Sequence, residues 1–581
     1  MTWWLLQNSR LRAEKATLAE LEGSVDWLSV EKWQANKDLE MCVGFIITHG
    51  EKRFGFRMRY PSVFPDAPPM IFTDDGSRIS NHQYGADGEL CLEHRPDNWH
   101  PAITGADMVA SCQRLIAEEH PEGGETVNAR SAHTASLGRD LRSKSCRFLV
   151  SENDLAAINR LPDFGEREFT LSERKAANSF LASLTHIGPM DAPSWVSDLV
   201  LPDGFAKEAG TVVRVPGAGS LGPVTIEALG AFLDRVGLRE LRCRMFDTDA
   251  FTYLLLGYAE EWELFSIFGK PDDRKAFPYR TVIVPAEQKR VPDEFKVLAD
   301  KSVGIVGCGS VGSKVAASLC RTGVGKFLLI DEDIFFPGNA VRNELDLSVT
   351  GAHKAFGLRE RLKNLAPEVD VAALRMTLGG QESADSMAGA LEALSECDVL
   401  IDATGEPTAF NMIASMATRK RKPMVWAQVF AGGIGGLIAR ARPDMDPTPH
   451  MARAQIDRWC EDQGVAWIKP DDPERYAGQG ADGTPMLAVD ADVGVIAAHA
   501  SRLVIDLLAR PDGSIFPVSA YVIGLSSEWL FDQPFDTRPI DLIPVGEWGE
   551  TIEPLDEKSF FEILKAHLPP EEDADAVAVA D

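Results

Sequence analysis

The sequence predicts an α+β domain followed by an α/β domain built on a mostly parallel, doubly wound sheet. Three observations predict it. Between residues 1 and 150, a helical stretch is followed by three segments that alternate apolar and polar residues, as strands with one wetted face do. From about residue 276 the order changes to short apolar runs separated by helical patterns, the sign of βαβ units. Near the head of that region, "SVGIVGCGSVGSKVAASL" sets a glycine turn between a strand and a helix.

The elements follow in order. "MTWWLLQNSRLRAEKATLAELE" starts apolar and then carries charges at helical spacing, so it reads as an amphipathic first helix. It lacks the basic-then-apolar layout of an export signal. "DWLSVEKWQ", "MCVGFIITHG" and "KRFGFRMRYP" read as an antiparallel meander. The proline-dense "YPSVFPDAPPMIF" comes next, then an irregular segment holding Cys91, and helical "ITGADMVASCQRLIAEEH" closes the domain. Residues 151–275 read as a linker or docking region, with a helical stretch and then strand, glycine turn, helix and strand. Its "GAGSLG" has G-x-G-x-x-G spacing, but Pro-Val-Thr follows and no acidic anchor lies downstream, which favours a connecting role over a nucleotide role. Within residues 276–545, "ALRMTL", "CDVLIDATG" and "KPMVWAQVFA" read as further strands and "LAVDADVGVIAAHASRLVIDLLAR" as a long helix. Residues 546–581 read as a C-terminal helix and an acidic tail poor in aromatics.

Composition narrows the function classes. A net charge of −29 argues against non-specific binding to nucleic acid or to an anionic membrane surface, because both need clustered cations. No run approaches the ~20 apolar residues of a membrane span. The 9 cysteines form no C-x-x-C pair, so no zinc spacing is present. Such sparse, odd thiols fit a reducing compartment, and the expected location is cytoplasmic.

Gly307, Gly309 and Gly312 make a loop through which phosphates reach backbone N–H groups at a helix N-terminus. Alone the loop fits NAD, FAD or ATP. The next strand ends in "LIDEDIFFPGNAVRNEL", which carries Asp331, Asp333, Asn339 and Arg342, and Lys354 follows in "GAHKAFG". An arginine and a lysine beside phosphates suit a triphosphate under attack, whose growing negative charge must be offset.

On these residues, the stretch from "VGIVGCGSVG" to "FPGNAVRN" resembles the adenylation domain of ubiquitin-activating enzymes and their ThiF/MoeB-like relatives, with a Rossmann-like fold, over about residues 276–545. The resemblance implies that Asp331 holds the ATP ribose and that Asn339, Arg342 and Lys354 line the triphosphate. It implies that Asp402, in "LIDATGEP", belongs to a motif that positions magnesium or the adenylate, although Gly405 stands where the family often has a second aspartate. It also implies a homodimer in which Arg280, in "FPYRTVIVP", reaches the partner protomer's active site.

The N-terminal 120 residues read in the same light. "RYPSVFPDAPPMIF", "NHQYGADGELCL" and "NWHPAIT" follow one another as in ubiquitin-conjugating enzymes, which this part of the chain resembles. The resemblance makes Cys91 a thioester cysteine, and a thiolate suits that task as both nucleophile and leaving group. The resemblance also implies that Trp99 packs beneath the active-site loop and takes no part in the chemistry. The family's His-Pro-Asn, whose amide steadies an oxyanion, is Asn81-His82-Gln83 here; Asn81 or Gln83 supplies the amide, and His82 is a further candidate or a structural residue. Fusions of this kind carry a second cysteine before the long helix, where this chain has Gln479 in "YAGQGADGTPM". Either Cys460 in "DRWCEDQG" relays the acyl group or the adenylate feeds Cys91 directly; Cys308, in the glycine loop, and Cys397, on a strand, are poor relays.

The two resemblances together imply ATP- and magnesium-dependent adenylation of a partner's C-terminal carboxylate, then a Cys91 thioester and transfer to an amine on a target protein. They point to fusions of anti-phage (CBASS) operons, whose partner is a cGAS-like nucleotidyltransferase or a ubiquitin-like protein. A sulfur-transfer adenylyltransferase with an accessory module and a scaffold that binds the tail without catalysis are the alternatives.

Overall fold

The alternation in the first sixty residues is realised as strands Leu28–Ala35, Met41–His49 and Lys52–Tyr60, paired antiparallel in that order. Met70–Thr73 extends the meander, and two short strands just before Cys91, Gln83–Tyr84 and Glu89–Leu90, complete a six-stranded sheet. Side chains of a strand point alternately to opposite faces. Val43, Phe45 and Ile47 therefore share one face with Phe56, Met58 and Tyr60 on the neighbouring strand, and all six are fully buried. Helices Asn8–Ser24 and Gly105–Glu119 supply Leu18, Met108, Val109, Cys112 and Ile116 to the same core. The first helix is broken where the sequence suggested continuity: Gln7 leaves helical geometry, at φ −113° and ψ 60°, and separates Trp3–Leu6 from Asn8–Ser24.

The computed structural model describes residues 2–80, 82–84, 88–121, 137–141, 145–176, 179–199, 201, 206–217, 225–258, 261–285, 291–464, 477–479, 485–550 and 557–567. Asn81, most of the "GAGSLG" turn and the acidic tail lie outside these. The chain divides into two units, Met1–Ser143 and Lys144–Asp581. Among the described residues no helix is long and apolar enough to cross a membrane.

The region expected as a linker or docking region contributes most strands of one folded sheet. Its first strand, Cys146–Ser151, crosses the expected boundary at residue 150 and runs parallel to Lys275–Val284 and to Ser179–Ile187. An eight-stranded sheet results, and it closes on itself because Arg167–Ala176 pairs with both Ala206–Val215 and Ser179–Ile187. Phe148, Phe169, Tyr253, Leu255 and Leu264 form a core on one side. On the other side Leu254, Leu256, Phe265 and Ile267 meet helices Ile226–Arg235 and Arg239–Phe246. Burial on both faces explains why "TYLLLGY" does not alternate and does not announce itself as a strand.

The second half of this unit holds the expected doubly wound sheet. Ser302–Val306, Lys326–Ile330, Asp370–Leu374, Val399–Asp402 and Met424–Phe430 are parallel, and numbered along the chain they lie in the order 3-2-1-4-5. Gly435–Ala441, Ala520–Gly524 and Thr537–Ile540 add an antiparallel edge. Successive residues feed two cores. Ile305 and Leu329 face helices Ser310–Thr322, Lys354–Leu365 and Asp490–Ala509, whereas Val306, Leu328 and Ile330 face helices Ala384–Ser395, Pro407–Lys420 and Pro449–Asp462. The antiparallel edge is locked by one buried ion pair. Arg440, wholly buried, donates to Asp506 Oδ2 at 3.2 Å and to the Phe516 carbonyl at 3.1 Å. A last helix runs over Glu557–His567.

Candidate active site

Strand order reverses between Ser302–Val306 and Val399–Asp402, and in open parallel sheets ligands bind at such a switch point, beyond the strands' C-terminal ends. A pocket of about 510 Å³ lies there. Gly307, Gly309, Asp331, Asp333, Asn339, Arg342 and Lys354, all predicted from sequence, line it.

Each of the three glycines has its own reason. Gly307 takes φ +91°, a left-handed conformation that side chains rarely adopt. A Cβ on Gly312 would stand 1.8 Å from the Gly307 carbonyl oxygen, so Gly312 is what lets the helix close onto the loop, and it does not line the pocket. A Cβ on Gly309 would meet nothing within 4 Å, which leaves that side of the loop open to a ligand.

Asp331 ties the second strand to this loop. Its Oδ2 accepts from Cys308 N–H at 2.6 Å and its Oδ1 from Asp333 N–H at 2.8 Å. Burial raises its carboxyl above the ordinary Asp range, against the opposing pull of those two donors and of Lys354. Lys354 pairs with Asp333 at 2.7 Å. Arg342 lies along the pocket, donating to the Ala488 carbonyl at 3.4 Å. Asn339 Oδ1 accepts from Phe336 N–H at 2.8 Å and holds the turn that carries Arg342. Asp402 is absent from the lining. It is buried, and its Oδ1 accepts from the Thr404 hydroxyl at 2.6 Å and the Thr404 N–H at 3.0 Å, so its direct effect is to shape the loop that presents Thr404, Gly405 and Glu406. Burial raises its carboxyl as well.

Sequence reading missed several lining residues: Thr404, Glu406 and Gln428 among the polar ones, and Met376 and Leu378 among the apolar ones. The last two follow the third strand, which ends at Leu374; the sequence had set a strand across them as "ALRMTL". Asn343 was missed too. It donates from Nδ2 to the Cys308 carbonyl at 3.2 Å and braces the glycine loop from behind. Chemically, the pocket offers an open phosphate-sized loop, two cations and a carboxylate fixed by backbone donors.

The cysteines separate by burial. Cys460 sits in helix Pro449–Asp462, is 1% exposed and belongs to one of the two cores, which argues against the relay expected of it. Cys308 is wholly buried, and burial pushes its thiol far up. Cys397 precedes the strand on which it was placed, and burial pushes its thiol up to about 11. Gln479 lies in a short strand paired with Pro485–Leu487.

Cys91, in the N-terminal unit, is half-buried. Its N–H donates to the His82 carbonyl at 2.6 Å, and it follows the strand Glu89–Leu90. Trp99 packs against the domain core and donates its indole N–H to the Pro65 carbonyl at 2.7 Å, which pins the loop after Cys91. Asn98 pins it again, accepting from Arg95 N–H at 2.7 Å and donating to the Glu93 carbonyl at 2.8 Å. Gln83 corrects the expectation placed on it. Its Nε2 donates to the Ser77 and Gly88 carbonyls at 3.2 and 2.9 Å, and its Oε1 accepts from Ile79 and Ser80 N–H, so the amide is occupied in holding its own loop. His82 Nε2 stands 4.0 Å from the buried Glu119 carboxylate.

Residues 287–500 match the ThiF family. This part of the chain is a ThiF-family domain. It contains the glycine loop, both cations and all five parallel strands. The chain is also 21% identical over 496 residues to the uncharacterized protein y4qC of Sinorhizobium fredii, covering 79% of this chain and 83% of that one. It is 31% identical over 147 residues to the ATP-dependent ubiquitin transferase-like protein Cap2 of Pseudomonas aeruginosa, 23% of this chain and about a quarter, 25%, of that relative's length. Among solved structures, E. coli MccB with ATP matches at 17% identity and a TM-score of 0.33, covering 44% of this chain and 69% of that one.

Proposed function

We propose that the ThiF-family domain binds ATP and adenylates the C-terminal carboxylate of a partner protein. The observation that carries this reading is the convergence of Asp331, Arg342 and Lys354 on one open glycine loop at the switch point. The tail carboxylate attacks the α-phosphorus; a P–O bond forms, the bond to pyrophosphate breaks, and pyrophosphate leaves with the electron pair. Arg342 and Lys354 offset the charge that gathers on the leaving group. Asp331 accepts from the ribose. Magnesium fits as a companion of the triphosphate. Among the described residues no three His, Cys, Asp or Glu side chains converge as a metal group, yet Asp333 and Glu406 both line the pocket, and magnesium ordinarily takes one or two protein carboxylates with the rest from phosphates and water.

The acyl group then passes to Cys91 as a thioester and on to an amine of a target protein. The likeness to Cap2 and the order of motifs around Cys91 support this step and a role in anti-phage defence. The partner in this reading is a cGAS-like nucleotidyltransferase or a ubiquitin-like protein, and the location is the cytoplasm. With Cys460 in the core, the favoured route is from the adenylate to Cys91 without a second cysteine. Arg280, exposed on Lys275–Val284, acts in this reading across a homodimer; equal mixing of Arg280 and Asp331 variants then restores about a quarter of the activity. The test of the thioester is an adduct between chain and partner formed with ATP and magnesium. It should be cleaved by dithiothreitol in the wild type and missing in Cys91→Ala. An adduct of equal yield in Cys91→Ala overturns the assignment.

A further inference from the structure

The structure places a cation against the sulfur of Cys91: Arg95 Nη1 donates to Sγ at 3.1 Å. The guanidinium is largely withdrawn from solvent, with 15% of the Arg95 side chain exposed, and its Nε lies 4.0 Å from Asp97 Oδ1. Its backbone N–H is capped by Asn98 and Trp99 anchors the same loop, so the backbone that carries the guanidinium is pinned near Cys91. Of the two amides that the sequence offers to an oxyanion, Asn81 lies outside the described residues and that of Gln83 is bound to its own loop.

We propose that Arg95 is a catalytic residue that stabilises the negative charge developing at Cys91. This rests on the proposed thioester chemistry. In the transfer step an amine nitrogen bonds to the thioester carbonyl carbon, and the carbonyl π pair moves onto oxygen as an oxyanion. Collapse re-forms the carbonyl and breaks the C–S bond; the pair leaves on sulfur as thiolate, and the nitrogen gives its extra proton to solvent. One anion forms on Sγ itself and the other two bonds away, and Sγ is the atom Arg95 already touches. A guanidinium has five N–H donors in a rigid fork, so it serves sulfur and oxygen without moving its stem.

The first test needs no partner. In the full-length protein, alkylation of Cys91 is followed by mass spectrometry of its peptide, with neutral iodoacetamide and anionic iodoacetate in parallel. A cation at the sulfur speeds the anionic reagent relative to the neutral one. Arg95→Gln should lower the iodoacetate-to-iodoacetamide rate ratio by about tenfold, the size of a hydrogen bond to a charged group. Arg95→Lys should restore most of it, which a purely structural role would not do. Discharge of a preformed Cys91 thioester to free lysine should slow in Arg95→Gln by a similar factor. A ratio unchanged in Arg95→Gln, with the fold intact by thermal melting, overturns the proposal even if conjugation proceeds. A lowered ratio in a protein that forms no thioester supports the charge placement and faults the conjugation reading instead.

Discussion

Asp331 accepts the backbone N–H of Cys308 at 2.6 Å, so the carboxylate at the end of one strand holds the middle of the glycine loop that follows its neighbour. This single bond couples the group proposed to hold the ribose to the loop proposed to hold the phosphates. It is charge-assisted and partly withdrawn from water, the setting in which such bonds are strongest.

Asp331→Ala should therefore loosen both ends of a nucleotide, and ATP affinity measured by calorimetry should fall at least tenfold. Asp331 has a carboxyl raised from its ordinary 3.8 by burial, so binding should weaken on acidification at a pH above that value, as the acceptor becomes protonated. Asp331→Asn should remove that component of the pH dependence.

Stability has its own sensitive point in Arg440 and Asp506. Asp506→Asn takes from the wholly buried Arg440 guanidinium the carboxylate to which it donates and should cost about 3–5 kcal/mol. The Asp506 carboxyl is held below 3.8 in the fold: the hydrogen bonds from Ser514, Ile515 and Arg440 outweigh the opposing effect of burial. Its contribution is thus present above the unfolded value and is lost as pH falls through the depressed one. Thermal melts of wild type and Asp506→Asn should converge in strong acid; parallel curves down to pH 2 would contradict this.

Cys460→Ala should lower stability by about 1–2 kcal/mol through the small cavity it leaves and should leave conjugation at the wild-type rate. Loss of conjugation with a normal melting temperature would return Cys460 to the relay.

Much of this was legible in the sequence because local patterns carried it. The meander alternates with period two, so its strands and buried face could be read directly. Gly307, Asp331, Arg342 and Lys354 follow one another along consecutive βα turns, and the fold gathers them without long-range surprises. The closed sheet between Cys146 and Val284 was not legible, because its strands are buried on both sides and its closure joins Arg167–Ala176 to distant partners. Met376 and Leu378 were read as strand because their apolar character is shared by a pocket wall. Arg95 left no signal at all: only the tertiary course of the loop brings its guanidinium to Cys91, four residues back in a stretch that is not helical.

The most direct test of the central claim is pyrophosphate–ATP exchange by the full chain, with a purified partner protein bearing a free C-terminal carboxylate. The account predicts exchange that needs the partner's intact tail and falls by about a hundredfold or more in Arg342→Ala. Undiminished exchange in both Arg342→Ala and Asp331→Ala, or exchange indifferent to the tail, would contradict it.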